Sequence, residues 1–317
     1  MNAHLLHYGG IALAIGLSGL GTGLAQGYAA RVVLDAIDRQ EMGVDAIRRA
    51  LMIGLVFIES GGILALVIAF LLMSHEYSVL SQSIGFVHLN IGFCMGLVTG
   101  MMAIASSFAL AAATQAIARQ PLIAHKIISF MMISQTFIEA PVIFAFVLLL
   151  LINSNLEEGI AWAEAVKLSI AAFGIALGTI GPAIAQSRFS GASGEAMGLS
   201  HSAYAQIFSF SLLTQAIIET PVIFVLFSTL FIVFKILPLI TALTAAISLF
   251  PASLVVALGT SSAAVGVSYV ASKTCRLIAL KTEHYGRLFR ASFVAQAFIE
   301  SCGIYALVIG LLMILRA

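Results

Sequence analysis

A short pattern around a glutamate occurs four times along this chain at nearly constant spacing. The four glutamates, Glu59, Glu139, Glu219 and Glu300, are 80 or 81 residues apart. A fixed period is typical of tandem copies of one supersecondary unit, each of which buries its apolar face against its neighbours. We therefore predict four copies, at residues 1–80, 81–160, 161–238 and 239–317. The repeated segments are Phe57-Ile-Glu-Ser-Gly, Phe137-Ile-Glu-Ala-Pro, Ile217-Ile-Glu-Thr-Pro and Phe298-Ile-Glu-Ser-Cys.

Each copy contains two long apolar segments around a short polar turn. Of the 317 residues, 61% are hydrophobic and 9% are charged, whereas soluble domains carry about 25% charged residues. Roughly 20 mostly apolar residues are enough for a helix to cross a bilayer. The sequence therefore predicts an all-α membrane protein with eight transmembrane helices in four tandem helical hairpins. We expect these helices at residues 8–37, 46–73, 86–117, 122–152, 165–189, 203–234, 239–271 and 287–315.

Small residues are concentrated in the first helix of each predicted hairpin, and bulky aliphatic and aromatic residues in the second. The first helix of the first copy, for example, contains Gly16, Gly19, Gly21, Gly23 and Gly27. Small residues allow membrane helices to approach closely. This pattern favours two concentric layers with the small first helices inside, although glycines also occur in ordinary membrane bundles.

Most of the lysines and arginines lie in or beside the predicted turns inside the hairpins, such as Arg39, Arg48, Arg119 and Arg188. The positive-inside rule therefore predicts cytoplasmic turns and both termini on the outer side. The first apolar stretch has no basic flank or clear cleavage site, so we expect a retained helix. The net charge of +1 gives no indication of a nucleic-acid partner.

The four glutamates are predicted to lie in the middle of the membrane. A charged side chain there costs about 2.5–3.5 kcal/mol on insertion scales, and no lysine or arginine is expected at matching depth. Each carboxyl must therefore be protonated, hold a cation or meet a positive charge on another protein. The alternative is a protonated glutamate that serves only as a hydrogen-bond donor between helices. Four acids at one period and one depth favour ion binding.

Polar side chains accompany these acids at repeated positions. Hard cations prefer several oxygen ligands, and hydroxyl and amide oxygens near a carboxylate would suit sodium. Each of these polar residues could also serve only as a hydrogen-bonding contact between helices. The candidates beside the glutamates are Ser60, Thr220 and Ser301; those in the first helices are Gln26 and Gln186; and those four residues before a glutamate are Gln135, Gln215 and Gln296.

The residues of each copy resemble the c-subunit, the rotor proteolipid of F-type ATP synthases. The segments Arg39-Gln40 and Ala118-Arg-Gln-Pro are similar to the polar loop of that family, and Gly21 to Ala30 is similar to its glycine-rich first helix. The run from Glu300 to Ile309 is similar to its ion-binding second helix. The resemblance covers nearly the whole chain as four copies in order.

The resemblance implies a non-catalytic, ion-translocating component of a two-layer rotor ring in an energy-transducing membrane, such as the bacterial inner membrane. The ring would turn against the stator protein that carries an arginine, and would couple ion flow to ATP synthesis or hydrolysis. Four hairpins per chain imply a homo-oligomeric ring of three chains and twelve hairpins, with lipids around it. The ion sites would be Glu59, Glu139, Glu219 and Glu300, and the central-stalk contacts would be Arg39, Gln40, Arg119 and Gln120.

Some positions depart from the pattern of sodium-binding family members, which have a first-helix glutamine with Glu-Ser or Glu-Thr. Gln26 with Glu59-Ser60 and Gln186 with Glu219-Thr220 match this pattern. Ser106 and Val267 replace the glutamine in the other two copies, Ala140 follows Glu139, and the third and fourth turns lack Arg-Gln. The pattern leans towards Na⁺ and leaves H⁺ open, with no cofactor expected.

Three other functions fit parts of the pattern. A V-type ATPase rotor proteolipid is the nearest alternative, because it is also built of several hairpins. A secondary transporter with internal repeats would be expected to have broken helices and one central site. A purely structural proteolipid would have no need of an acid in every copy.

Overall fold

Eight long α-helices make up nearly all of the computed structural model, which describes residues 2–74, 80–238 and 240–317. Each helix is long and apolar enough to cross a membrane. This confirms the predicted fold class of an all-α membrane protein. The helices are α1 Ala3–Arg39, α2 Val44–Ser74, α3 Gln82–Arg119, α4 Ala124–Ser154, α5 Trp162–Leu199, α6 Tyr204–Phe234, α7 Ala242–Leu280 and α8 Tyr285–Arg316.

Consecutive helices pair into four antiparallel hairpins through short turns. Single 3₁₀ turns join the helices of three hairpins, at Glu41–Gly43, Pro121–Ile123 and Thr282–His284. In the third hairpin, residues 200–203 join α5 to α6 without a 3₁₀ turn. The turns therefore lie at one end of the bundle, and the connections between hairpins lie at the other.

Two predicted helix ends were wrong, because the helices continue through segments rich in small residues. We expected the fifth helix to end at residue 189 and the seventh at residue 271, but they end at Leu199 and Leu280. In α5 the small residues allow close packing on α3: a Cβ added at Gly198 would lie 2.9 Å from Ala116 Cα. The start predicted for the seventh helix, residue 239, lies outside the described residues.

The first helices of the hairpins form one layer, in which α1, α3, α5 and α7 pack side by side in chain order. Glycine makes the closest approaches possible. A Cβ on Gly92 would overlap the carbonyl oxygen of Gly10, and a Cβ on Gly21 would overlap the backbone of Gly100. Small residues at such crossings give the helices extensive van der Waals contact.

The second helices form the other layer, and α2, α4 and α6 each lie over the groove between two first helices. Helix α2 contacts α1 and α3, α4 contacts α3 and α5, and α6 contacts α5 and α7. Contacts between the first helices are much more extensive than those between the second helices. Because one layer is more tightly packed than the other, the bundle is an arc with the first helices on its inner side.

Polar contacts link the hairpins at the end opposite the turns. His7 Nδ1 lies 2.7 Å from His88 Nδ1 between the first two hairpins, and Asn90 donates to Ser169 Oγ at 3.1 Å between the next two. Lys235 Nζ donates to the carbonyl oxygen of Ile314 at 2.7 Å, which joins the third hairpin to the fourth. Every interface between hairpins within the chain therefore has a polar contact at this end.

Candidate ion-binding sites between hairpins

The four glutamates occupy equivalent places in the outer layer. Each lies at the middle of its helix, in α2, α4, α6 and α8 respectively. Glu139, Glu219 and Glu300 are half-buried, whereas Glu59 is exposed at the edge of the arc. Among the described residues, no lysine, arginine or histidine forms an ion pair with any of them. The acids therefore lie at one common height, and none of them is paired with a cation in the described ranges.

A hydroxyl of the first hairpin faces the carboxyl of the second. The Ser60 side chain on α2 lies close to the Glu139 carboxyl on α4. Ser60 Oγ donates its own proton to the carbonyl oxygen of Phe57 at 2.8 Å. Towards Glu139 it therefore presents a lone pair, which can accept a proton from a carboxylic acid or bind a cation.

The same hydroxyl geometry recurs at the two other predicted positions. Thr220 Oγ1 donates to Ala216 O at 3.1 Å, and Ser301 Oγ donates to Phe298 O at 2.7 Å. Both hydroxyls donate their hydrogen bond to a carbonyl oxygen of their own helix, as Ser60 does. All three therefore present oxygen lone pairs near the height of the glutamates.

Gln135 joins the first two hairpins one turn away from Glu139. Its Nε2 lies 2.9 Å from Ser106 Oγ and 3.3 Å from the carbonyl oxygen of Gly54. Ser106 occupies the first-helix position that holds a glutamine in other copies, so a glutamine from the second helix approaches that position here. Gln135 Oε1 and Glu139 Oε1 are both buried without a hydrogen-bond partner in the described part of the chain.

The third hairpin uses its first-helix glutamine differently. Gln186 Nε2 donates to the carbonyl oxygen of Gln215 at 2.7 Å, which connects α5 to α6 one turn before Glu219. Gln186 Oε1 and both polar atoms of the Gln215 side chain are buried without a partner in the described ranges. Unpaired buried oxygens are costly, and a water or cation beside Glu219 would satisfy them.

In the fourth hairpin, Gln296 contacts the preceding hairpin, as Gln135 does in the second, but its closer partner lies in its own helix. Gln296 Nε2 lies 2.9 Å from Ser292 Oγ and 3.5 Å from Thr214 Oγ1 of the third hairpin. In the first hairpin, Gln26 is half-buried on α1 and forms no hydrogen bond within residues 2–74, 80–238 and 240–317. In the described part of the single chain, Gln26 therefore does not form a hydrogen bond with Glu59.

The predicted stalk-contact residues lie together at the turn end. Arg39 is the last residue of α1 and Arg119 the last of α3, and the two line one small cavity with Asp35. Gln40 and Gln120 follow as the C-caps of these helices, and Gln40 Oε1 accepts from Met42 N at 3.4 Å. The corresponding positions in the other two hairpins are Leu199-Ser200 and Leu280-Lys281.

Two features of these sites were not predicted from the sequence. The hydrogen bonds of Gln135 and Gln186 each span 29 residues, and this shared spacing could have indicated a contact between the two helices of a hairpin. Arg188 was expected beside a turn, but it lies about three turns before the end of α5. It is close to the height of Gln186, on the opposite, inner face of the layer, and stacks on the ring of Tyr269.

Comparison with known proteins gives the same family for most of the chain. The ATP synthase C-subunit family matches residues 9–72, 89–152 and 250–313. The ATP synthase c-subunit of Thermosynechococcus vestitus is 50% identical over 62 residues, which are 20% of this chain and 76% of that protein. The second ATP synthase c-subunit of Cereibacter sphaeroides is 41% identical over 64 residues, which are 20% of this chain and 77% of that protein.

A third relative, the ATP synthase c-subunit of a Synechococcus species, is 45% identical over 62 residues, or 20% of this chain and 76% of that protein. No solved structure matches the chain. The family matches account for the first, second and fourth hairpins, and the third has the same two-helix architecture with a glutamate at the middle of its second helix. With its eight membrane-spanning helices, the chain belongs to the ATP synthase C-subunit family as a tandem multi-hairpin member.

Proposed function

We propose that this chain is the rotor proteolipid of a rotary ATP synthase and that Glu59, Glu139, Glu219 and Glu300 carry the transported ion. The observation that supports this most is the proximity of Ser60 of the first hairpin to Glu139 of the second. A carboxyl and a hydroxyl oxygen from different hairpins thus lie together at the middle of the membrane-spanning helices. An ion held there would be exposed to a stator protein on the outer layer as each hairpin passes.

The ligands around the four carboxyls differ, since each site takes its hydroxyl from the preceding hairpin. Glu139 has Ser60 with Ser106 and Gln135, and Glu300 has Thr220 with Val267 in place of a glutamine. Glu219 has Gln186, but Ala140 stands where a hydroxyl would be. In the assembled ring, the exposed Glu59 would take Gln26 of its own hairpin and the hydroxyl of Ser301 from a second copy.

We favour Na⁺ over H⁺ as the transported ion. The hydroxyl groups donate their hydrogen bonds to backbone carbonyls, so their oxygen lone pairs are available as ligands. Buried amide oxygens are available in the same way, and a hard cation prefers such oxygen ligands. A protonated carboxyl that donates to the same hydroxyl oxygen is the alternative. Because the ligands differ between hairpins, the preference for Na⁺ or H⁺ can be measured at each site separately.

We propose a homo-oligomeric ring of three chains and twelve hairpins, since closed rings are the usual symmetry of such assemblies. Glu59 and several α1 glycines lie at the open edge of the arc. Nothing lies within 4 Å of a Cβ added at Gly16 or Gly19. Gly16 is equivalent to Gly96, at which an added Cβ would lie 3.0 Å from Leu17 Cβ of the preceding hairpin. The open face of α1 therefore has the shape needed to receive α7 of a second copy.

The coupling partners follow from the same proposal. Arg39, Gln40, Arg119 and Gln120 would contact the central stalk, and an arginine of the stator would meet the glutamates from the outer side. We place the turns in the cytoplasm and the ring in an energy-transducing membrane, because the basic residues concentrate at the turn end. The three relatives compared above are each named as an ATP synthase c-subunit, which favours this function over a V-type rotor.

Carbodiimide labelling of the purified ring tests the proposal. We expect adducts at Glu59, Glu139, Glu219 and Glu300, and slower labelling when Na⁺ is added above neutral pH. Single Glu→Gln variants serve as controls, because each should remove only its own adduct. Labelling that avoids all four glutamates contradicts ion binding, and labelling that is insensitive to Na⁺ but slows as the pH rises identifies H⁺ as the ion.

A further inference from the structure

A long groove runs along the inner face of the arc, on the side of the first helices that faces away from the second helices. Its apolar part has a volume of about 490 Å³ and lies between α1, α3 and α5. Met101, Ile104, Phe108 and Ile184 contribute to its lining. Phe108 and Ile184 are exposed although α3 and α5 are otherwise the most buried helices. This apolar surface has no covering element in the described chain.

A belt of aromatic rings and one arginine crosses this groove. Tyr28, Phe108, Arg188 and Tyr269 occupy equivalent positions of the four first helices, each 31 residues before its glutamate. The rings of Tyr28 and Phe108 lie 5.0 Å apart, and Arg188 Cζ lies 3.7 Å from the centre of the Tyr269 ring. Aromatic rings of this kind prefer the boundary between apolar and polar surroundings.

The groove becomes strongly basic beyond the belt, towards the turns. This second part, of about 630 Å³, is lined by Arg119, Arg188, Lys273 and Arg276 together with the single acid Glu195. Arg188, Ala192 and Glu195 line both parts, so the two are continuous. Within the part of the chain that the structure describes, none of these cations forms an ion pair.

We propose that this groove binds an anionic phospholipid, with an acyl chain along Phe108 and Ile184 and the phosphate at Arg188, Lys273 and Arg276. An apolar channel that ends in unpaired cations matches a molecule with a tail and an anionic head. Basic pockets between transmembrane helices bind anionic head groups, and arginine binds phosphate through two parallel hydrogen bonds.

The position of Arg188 supports a lipid over a soluble anion. Arg188 lies about 3 Å along the axis from Gln186, close to the height of the carboxyl sites. A charged group at that depth is costly unless it is paired, and the Tyr269 ring neutralises none of its charge. A phosphate that is carried to this depth by its own acyl chain supplies the missing negative charge.

Lipid retention by the purified, assembled full-length protein tests the proposal. We would compare the parent with the double variant Arg188→Gln/Lys273→Gln, after detergent washing, by phosphorus content and mass spectrometry of the retained lipids. Binding of added phosphatidylglycerol should weaken about fivefold for each cation removed. The double variant Arg287→Gln/Arg290→Gln, which removes the same charge from α8 in the outer layer, should bind as the parent does. Arg188→Lys, which keeps the charge, should retain most of the binding.

Three further arms identify the ligand class. Phosphatidylcholine should bind more weakly than phosphatidylglycerol, and inorganic phosphate or glycerol 1-phosphate should not displace the bound lipid at millimolar concentration. Equal lipid retention by the parent and the double variant overturns the proposal. Displacement by inorganic phosphate, or capture of an acidic protein segment in place of lipid, overturns it as well. The test does not depend on ion transport, so failure of one proposal leaves the other intact.

Discussion

Ser60 follows Glu59 in the sequence, but its side chain lies close to Glu139 of the next hairpin. The hydroxyl that accompanies one acid in the chain therefore serves the following acid in space. Because of this shift by one hairpin, a substitution of one of these hydroxyl residues should affect the acid of the following hairpin.

Replacing Ser60 by alanine should weaken ion binding at Glu139 and leave Glu59 unchanged. The variant removes one oxygen from the neighbourhood of the Glu139 carboxyl, and contacts to a charged group contribute about 1.5–3 kcal/mol. We expect the ion concentration that half-protects Glu139 from carbodiimide to rise at least about tenfold. Ser301→Ala is the matched control, since it should leave Glu139 unaffected. A shift at Glu59 with none at Glu139 would mean that the hydroxyl serves the acid of its own hairpin.

Replacing Ser301 by alanine should affect Glu59 only in the assembled ring. In the proposed assembly, α8 of one copy adjoins α2 of the next and brings Ser301 to that carboxyl. We expect weaker ion protection of Glu59 in rings, and no change in separated chains. Glu300 in the same variant provides an internal reference. An effect that persists in separated chains is incompatible with a site shared between copies.

Replacing Gly92 by alanine should destabilise the single chain by about 1–3 kcal/mol. A Cβ there would overlap the carbonyl oxygen of Gly10 on α1, and neither backbone can move without separating the two helices. Thermal or denaturant unfolding in detergent measures the loss. Gly19→Ala is the control, because nothing lies within 4 Å of its Cβ; it should keep or slightly raise the free energy of unfolding, since alanine favours a helix over glycine. Equal stability of the two variants would argue against close packing of α1 on α3.

Replacing Gly16 by leucine should prevent ring assembly without unfolding the chain. Gly16 has free space around it in the single chain, and its equivalent Gly96 packs against the backbone of the preceding first helix. A bulky side chain should therefore clash only when a second copy docks. Native mass spectrometry or size-exclusion chromatography would report the oligomer. Gly191→Leu, on the inner face of α5, is the matched control and should assemble. Rings of normal size from the Gly16→Leu variant would place the interface on another face.

The number of helices, their pairing and the common height of the acids were predictable from the sequence, because each depends on a pattern that occurs four times. A glutamate at the middle of an apolar segment defines a hairpin, whatever its neighbours are. The third hairpin has this pattern even though the family match does not extend to it. The repeated pattern therefore predicted the third hairpin, to which the family match does not extend.

The ends of helices and the partners of side chains were less predictable. Glycine and serine near Gly194 and Gly198 are typical of a turn, but in α5 they permit contact with α3 and the helix continues to Leu199. The bond of Gln135 to Ser106 depends on how two helices are rotated against each other, which a period of 80 residues does not specify. The stack of Arg188 on Tyr269 joins equivalent positions of two different hairpins, so it likewise depends on how the hairpins pack in space.

Helix α6 fills the groove between α5 and α7, whereas α8 packs mainly against a single first helix, α7, among the described residues. The proposed ring of three chains would have one non-covalent seam for every four hairpins, while the other three joints of each chain are continuous polypeptide. Detergent, heat or mechanical load should break the ring first at these non-covalent seams and release intact four-hairpin sectors. The number of sectors released from one ring then equals the number of chains in it.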